Sequence, residues 1–336
     1  MRWNVDRLLL NACLISALAL LASSNAYAQG AAIRFIVPFP AGGAHDSLAR
    51  LVAPSVSEQL NQTIVVENKP GASGVIGLEY VSRMPPDGLT VLVGASSLMG
   101  SVPAANIALN NDPRVAGLVK GLVPVSLLGK VGTILCIHPS VPAKTLKEFV
   151  AYAKANPNKL LYGSAGIGGT GHLSMELFQQ KAGIKMTFVP YKGQPPAAQD
   201  LIAGHIQVML LNYETARPML EAGRVRALAI ASPARHPDYP GLPTIAENGF
   251  PGFQTDLWTA LFVPPAASPA VVNRLHSAVK AAMADPKLQE RIKGIWYQPS
   301  VSTPDELAEL VRSDIEKWIP VAAAAAAAPQ AGGKAQ

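Results

Sequence analysis

The amino-acid sequence predicts an α/β protein of two lobes, with the second lobe inserted into the first. Strand-like apolar segments alternate with helix-like segments along almost the whole chain of 336 residues, which is typical of right-handed βαβ units and a mostly parallel sheet. The alternation runs in two series, and the second series begins near Val131. After a long Pro- and Gly-rich stretch at 232–252, the chain returns to a strand and several helices.

The first series predicts strands at 33–37, 63–66 and 89–93 and helices at 47–60 and 74–83. The second series predicts strands at 133–137, 160–162, 186–189, 206–211 and 226–230, with helices at 146–155, 172–182, 196–203 and 215–221. The closing part predicts a strand at 258–263 and helices at 269–283, 286–293 and 304–318.

These changes of pattern predict the domain boundaries. The chain is expected to cross between the lobes near Gly129 and near Ser232, which leaves a cleft for a small ligand. The predicted parts are a signal peptide (1–28), a first lobe (29–129 and 233–320), a second lobe (130–232) and a disordered Ala-rich tail (321–336).

The first 28 residues have the order of a secretory signal peptide. Arg2 and Arg7 make a positive start, an apolar run follows at 8–22, and Ala26-Tyr27-Ala28 is a small-x-small cleavage site. The run is short for a membrane anchor, so we predict cleavage after Ala28 and export to a periplasm. The shortened chain keeps one cysteine, Cys136, which lies in an apolar strand and is expected to be an inert core thiol.

The composition excludes several classes of protein. With 49% apolar and 15% charged residues, the chain is not a disordered polyelectrolyte. Its net charge of +6 is spread thinly and aromatic residues make up only 6%, which does not match a nucleic-acid binder. The charge gives at most a mild preference for anionic ligands.

The segment at 37–46 predicts an anion site where a strand ends, a Gly-rich turn follows and a helix begins. Its glycines permit positive φ and have no Cβ to keep a ligand from bare backbone N–H groups, and the helix N-terminus adds unpaired donors. Asp46 is expected to cap the first helical turn and to pair with Arg50. The alternative is that the glycines only make a tight turn. The candidate ligand-binding residues are Phe39, Ala41, Gly42 and Gly43.

The segment at 162–172 repeats this arrangement in the second lobe. Its glycines fit G-x-G-x-x-G, but no acidic residue ends the next strand to bind a ribose, so a dinucleotide is disfavoured. The hydroxyls of Ser164 and Thr170 suit a carboxylate better, and His172 is expected to be a packed, hydrogen-bonded histidine. The candidate ligand-binding residues here are Ser164, Ala165, Gly166, Gly168 and Thr170.

Two further strand ends are expected at the same cleft, because ligands of open α/β sheets bind at the carboxyl ends of strands. Ser96 and Ser97 follow one strand, and Tyr191 and Lys192 end another. A solvated surface position is the alternative for Lys192. No G-x-S-x-G elbow, G-K-[ST] motif or close metal-ligand spacing of the six histidines occurs in the sequence. We therefore predict no catalytic residue, no cofactor and no metal.

At these motifs the chain resembles the periplasmic substrate-binding proteins of tripartite tricarboxylate transporters, the Bug family. The resemblance covers residues 33–318, and many ordered motifs carry it. They are Pro38-Phe39-Pro40-Ala41-Gly42-Gly43 with Asp46 and Ala49-Arg50, Val66-Glu67-Asn68, Pro70-Gly71-Ala72 with Gly74, Pro86-Asp87-Gly88, Pro124-Val125-Ser126, Gly163-Ser164 with Gly166, His172-Leu173, Tyr191-Lys192-Gly193, Asp200-Leu201 with Gly204, and Pro243-Thr244 with Glu247.

The resemblance implies a two-lobed, type II, Venus-flytrap periplasmic binding protein without catalysis. It implies a small carboxylate or related organic acid as ligand, held between the turns at 39–43 and 164–170, and membrane permease subunits as partners. We expect a monomer that binds no nucleic acid. His45 lies at a variable position beside the first turn and is expected to tune the ligand. An exported α/β hydrolase or transferase, and a sensor that signals to a membrane kinase, are the alternatives.

Overall fold

The computed structural model describes residues 31–255 and 257–325. The predicted signal peptide (1–28) and residues 326–336 of the predicted tail lie outside the described residues.

The described residues form eleven strands in two sheets. The strands are β1 (Ile33–Val37), β2 (Ile64–Asn68), β3 (Thr90–Ala95), β4 (Val123–Val131), β5 (Thr133–Ile137), β6 (Leu161–Ser164), β7 (Thr187–Pro190), β8 (Val208–Asn212), β9 (Arg226–Ile230), β10 (Leu257–Val263) and β11 (Gln298–Pro299). The six-stranded sheet has the order β11-β4-β10-β3-β1-β2, and the five-stranded sheet has the order β7-β6-β8-β5-β9.

Helices cover both sheets. They are α1 (Ala44–Leu60), α2 (Val75–Ser82), α3 (Val102–Asn110), α4 (Arg114–Gly121), α5 (Leu146–Ala155), α6 (Thr170–Ala182), α7 (Gln194–Ala203), α8 (Tyr213–Glu221), α9 (Pro269–Met283), α10 (Pro286–Gly294) and α11 (Pro304–Ala325). A short 3₁₀ turn at Ala72–Gly74 precedes α2, and a π-helical turn at Ser97–Ser101 precedes α3.

The predicted two-lobed α/β fold is confirmed. All strands of the five-stranded sheet, β5 to β9, lie in sequence between β4 and β10, which are neighbours in the six-stranded sheet. The second lobe is therefore inserted into the first. Each lobe also has a separate apolar cluster, around Phe149 and Phe178 in the second and around Leu92 and Phe262 in the first.

The expectation of mostly parallel sheets is wrong. The β1–β2, β1–β3, β6–β7 and β6–β8 pairs are parallel, whereas β10 runs antiparallel to β3 and β4, and β5 runs antiparallel to β8 and β9. An antiparallel pair needs no crossover helix. The strands that pass from one sheet to the other, β4, β5 and β10, are the ones paired in this way.

The second passage between the lobes involves the Pro- and Gly-rich segment. Phe250 and Phe253 pack edge-on against Phe178 of α6, with ring centroids 5.5 and 6.0 Å apart, and Ile245 donates its N–H to Ile230 of β9 at 2.7 Å. This packing holds residues 245–253 against the second lobe. The exact lobe boundaries stay a prediction.

The prediction of a disordered tail from residue 321 is wrong for residues 321–325, which continue α11. Alanine has the highest helix propensity of the amino acids. In addition, Val321 and Ala322 are buried in a cluster with Ala105 of α3, Leu173 of α6 and Trp318. This cluster joins the two lobes, because α3 and α11 belong to the first lobe and α6 to the second.

We predict that Ala322→Arg lowers the free energy of unfolding by about 2 kcal/mol, because the longer, charged side chain has no room in this buried cluster. Ala323→Arg is the matched control, since Ala323 is exposed on the same helical turn, and its effect should stay within about 0.5 kcal/mol. Urea unfolding followed by circular dichroism measures both. Equal losses for the two variants would contradict docking of this part of α11.

Candidate functional site

Two helices, one in each lobe, begin with the same backbone arrangement. The N-cap residues are Gly43 for α1, with φ −77°, and Gly169 for α6, with φ −68°, and neither helix has a side-chain cap. The residues just before them, Gly42 and Gly168, have φ of +78° and +75°. Glycine adopts such positive φ values without strain, so each turn needs glycine at that position.

In each Gly-rich turn, the N–H of the positive-φ glycine donates a hydrogen bond to a side chain at the beginning of the helix that follows. Gly42 donates its N–H to Asp46 Oδ2 at 2.9 Å, and Gly168 donates its N–H to His172 Nδ1 at 3.2 Å. The acceptor lies four residues after the glycine in both cases. The expectation that these two glycines present bare N–H groups is therefore wrong.

The free donors lie one or two residues further along the chain. Within residues 31–255 and 257–325, the backbone N–H groups of Ala44, His45, Thr170 and Gly171 donate no hydrogen bond. The first N–H groups of a helix have no partner within the helix and carry partial positive charge. Each turn therefore presents a pair of donors suited to a carboxylate.

Asp46 fixes the first turn by a network of hydrogen bonds. Its buried carboxylate accepts from Arg50 Nε at 3.0 Å and from Asn68 Nδ2 at 2.9 Å, and the same Asn68 amide donates to the Phe39 carbonyl at 3.0 Å. Burial by itself raises the pKa of Asp46, but the hydrogen bonds from Arg50, Gly42 and Asn68 outweigh it and lower the pKa below its usual value. The predicted pairing with Arg50 is confirmed.

Asn68 was missed as a functional residue by the sequence analysis. The signal that could have indicated Asn68 is its position at the end of β2. This strand pairs in parallel with β1, and in their register Asn68 lies opposite Val37. The carboxyl ends of these two strands therefore meet at the turn.

His172 fixes the second turn from inside the lobe, as the sequence predicts for a packed histidine. Its imidazole is 3% exposed and stacks on Phe188, with ring centroids 4.1 Å apart. Burial lowers the pKa of His172 to about 4, so the ring is neutral at neutral pH. Because Nδ1 accepts from Gly168, the proton of the neutral ring is on Nε2.

A polar cluster beside the first turn was not predicted as a unit. His45 Nδ1 lies 2.7 Å from Thr259 Oγ1 and 3.4 Å from the Tyr297 hydroxyl, and its ring contacts Phe39 at a centroid distance of 4.9 Å. Burial lowers the pKa of His45 to about 4. Burial raises the pKa of Tyr297, and the negative charge of Glu214 from the second lobe raises it further. The contacts of the cluster join α1, β10 and the segment before β11 within the first lobe.

The structure brings several of the predicted residues together around the Ser97–Ser101 turn. A Cβ on Gly74 would lie 3.1 Å from Leu98 and 3.5 Å from Phe39, so the first turn packs beside this segment. Across the lobes, Ser101 Oγ lies 3.2 Å from Thr170 Oγ1. These contacts bring four candidate residues together at the Ser97–Ser101 turn, namely Phe39, Ser96, Ser97 and Thr170.

Other predicted residues have their polar groups engaged within the second lobe. The Ser164 hydroxyl donates to the Gly166 carbonyl at 3.1 Å, and the Tyr191 hydroxyl donates to Asp200 Oδ2 at 2.7 Å. Each hydroxyl has one proton, so neither is free to donate to a ligand in this arrangement. The remaining candidates Ala41, Ala165 and Lys192 are exposed.

Gly168 has a further reason to be glycine. A Cβ at this position would lie 2.6 Å from the Cβ of Ala105 in the first lobe. The missing side chain therefore lets the two lobes approach each other, rather than giving a ligand access to the backbone.

Within the described part of the chain, no group of three or more His, Cys, Asp and Glu side chains is placed to hold a metal ion. Cys136 is a free, buried cysteine whose thiol pKa is raised by burial, in keeping with an inert core thiol. Among the helices of the same residues, none combines the length and apolar character that a membrane span requires.

Comparison with known proteins gives one family model that matches residues 48–326. It describes a tripartite tricarboxylate transporter family receptor. The match covers most of the chain, from Leu48 within α1 through both lobes to the end of α11.

Three solved structures are similar over nearly their whole length. R. palustris Rpa4515 with adipate is 32% identical, with a TM-score of 0.77 over 89% of this chain and 98% of that one. MatC (Rpa3494) from Rhodopseudomonas palustris with bound malate is 32% identical, with a TM-score of 0.73 over 87% and 98%. The periplasmic binding protein BugD is 31% identical, with a TM-score of 0.73 over 89% and 98%. These confirm the predicted periplasmic-binding-protein fold and the resemblance.

We predict that Asp46→Asn lowers the free energy of unfolding by about 2 kcal/mol at neutral pH, because it weakens charge-assisted bonds to a buried group. Since folding lowers the pKa of Asp46, its contribution is full above the unfolded pKa of about 3.9 and is lost as pH falls through the folded pKa.

Urea unfolding at several values between about pH 7 and about pH 2.5 tests this expectation. The difference between native protein and variant should shrink below about pH 4. Glu58→Gln on the exposed side of α1 is the control, with no comparable loss. A difference that stays constant with pH would show that Asp46 does not act through its charge.

Proposed function

This chain belongs to the tripartite tricarboxylate transporter receptor family, and from that membership we propose that it captures a small organic carboxylate between its lobes and delivers it to a membrane permease. Members of the family are receptors that bind substrates rather than enzymes, so a hydrolase or transferase is set aside. The structural relatives include a periplasmic binding protein. We propose that this chain reaches the periplasm by cleavage after Ala28 and acts there as a monomer.

The observation that carries this proposal is the pair of matched helix starts. Each presents two backbone N–H groups, from Ala44 and His45 in one lobe and from Thr170 and Gly171 in the other. One carboxylate accepts two such bonds at a helix N-terminus. Two starts in opposite lobes suit a ligand with two acidic groups, and the relatives crystallised with adipate and malate support dicarboxylates as the first candidates.

The predicted ligand-binding residues remain part of this proposal, with their roles revised. Gly42 and Gly168 shape the turns rather than donate, whereas Phe39 forms an apolar wall and Lys192 attracts the anion. The full proposed set is Phe39, Ala41, Gly42, Gly43, Ser96, Ser97, Ser164, Ala165, Gly166, Gly168, Thr170, Tyr191 and Lys192, together with Ala44, His45 and Gly171.

We predict that adipate or malate raises the melting temperature of the protein, because a ligand that binds only the native state stabilises it by mass action. At a concentration one hundredfold above Kd, the gain is about 2.7 kcal/mol, or roughly 5 °C for a chain of this size. Adipamide is the control for adipate, since it has the same length but no charge. A panel of mono-, di- and tricarboxylates and aromatic acids without any shift would refute the proposed ligand class.

We also predict that Gly43→Val and Gly169→Val each weaken ligand binding by more than about tenfold, at a cost in stability of no more than about 1 kcal/mol because valine is a poorer N-cap residue than glycine. Both backbones have negative φ, and an added Cβ lies no closer than 3.4 Å to its neighbours. The isopropyl group would then cover the free N–H groups.

Gly241→Val is the matched control, because Gly241 has open space around it and no positive φ. Isothermal calorimetry with the acid found by thermal shift measures affinity, and urea unfolding checks the fold. Native affinity in both variants would place the ligand elsewhere.

A further inference from the structure

The two lobes also meet at an aromatic junction around Trp296, which precedes Tyr297 of the polar cluster in sequence. Trp296 lies between α10 and β11 in the first lobe, and the guanidinium of Arg217 on α8 lies 5.0 Å from its ring centroid. His236, from the segment that packs on the second lobe, lies 5.3 Å from the Trp296 ring and 4.2 Å from Tyr213. In this junction Trp296 therefore contacts Arg217 and His236, both on the side of the second lobe.

The second lobe holds these contact groups in place. Arg217 Nε donates to Glu221 Oε1 at 2.6 Å, which aims the guanidinium plane toward Trp296. Tyr239 stacks near Tyr213 at 6.3 Å. A cavity of about 380 Å³ adjoins the junction and is lined by Arg217, Leu220, Glu221, Asp238, Tyr239 and Trp296.

The backbone of Trp296 is strained. Its φ is +66°, and it follows α10 in a Schellman turn, in which Trp296 donates to the Lys293 carbonyl at 2.8 Å and Tyr297 donates to the Ile292 carbonyl at 3.2 Å. Glycine is the preferred residue at this position of the motif. A tryptophan there costs stability, and such strain is characteristic of residues kept for function.

We propose that Trp296 and Arg217 form an interlobe latch that stabilises the closed arrangement of the lobes and thereby sets how tightly the ligand is held. The proposal rests on the proposed function, in which the ligand binds between the lobes. Arg217 and Trp296 are positioning residues, because they act by holding the lobes together rather than by touching the ligand. Losing the latch lowers the closed population, and apparent affinity falls by the same factor.

Trp296→Gly tests the latch without lowering the stability of the fold. It removes the ring but places the preferred residue at the left-handed position, so the melting temperature should not fall. Ala266→Gly is the matched control, because Ala266 also has positive φ, +63°, and is exposed. Arg217→Ala tests the other partner of the latch, and the double variant tests their coupling.

Small-angle X-ray scattering without ligand and calorimetry with adipate and malate are the two measurements. We expect Trp296→Gly and Arg217→Ala to reduce the population with lobes in contact and to weaken binding by roughly three- to tenfold each. The double variant should be no weaker than the more affected single variant, because both changes break one contact. Ala266→Gly should match the native protein in both measurements.

Unchanged scattering and affinity in Trp296→Gly, or additive losses in the double variant, would overturn the latch. A native protein without any population of lobes in contact before ligand is added would overturn it as well. If the native protein binds neither adipate nor malate, the proposed ligands fail, and the ligand-free scattering of the variants still decides about the latch.

Discussion

The arrangement of the whole molecule depends on the adjacent segments at which the chain passes between the lobes. Val131 of β4 pairs with Leu257 of β10, and Ala231 bonds to Thr133 on one side and to Thr255 on the other, at 2.8 and 3.0 Å. These hydrogen bonds hold the passages side by side, and one apolar cluster with Ile134, Tyr213 and Leu261 packs residues of both lobes around them.

Some buried side chains at this junction also lack hydrogen bonds. The hydroxyls of Thr133, Ser232 and Thr255 are buried without a hydrogen-bond partner among the described residues. A Cβ on Gly132 would lie 2.3 Å from Ser232 Oγ and 2.4 Å from Tyr213, so the chain has no room for a side chain there. When lobes move, a few residues at such passages are the ones that absorb the changes in φ and ψ.

Much of the fold was predictable because its signals are local. The βαβ alternation and the glycine turns follow from residues close in sequence, and so does the pairing of Asp46 with Arg50. The antiparallel pairing of β10 was not predictable, because it depends on strands 126 residues or more apart in the register Leu257 with Val131 and Thr259 with Ala95. The extension of α11 to Ala325 was missed for the same reason, since its burial against Leu173 is a tertiary contact.

The glycine turns of the proposed site were predictable from the sequence, whereas their hydrogen bonds were not. Sequence alone locates Gly42 and Gly168 in turns, yet it does not show that Asp46 and His172 accept their N–H groups. The consequence is chemical. The two turns offer helix N–H groups to an anion, while His45 and His172 are neutral because burial lowers the pKa of each to about 4, and Arg50 is engaged by Asp46. In the proposed site, selection between acids rests on the spacing of fixed backbone dipoles rather than on net positive charge, so the distance between the acidic groups of a ligand decides how well it fits.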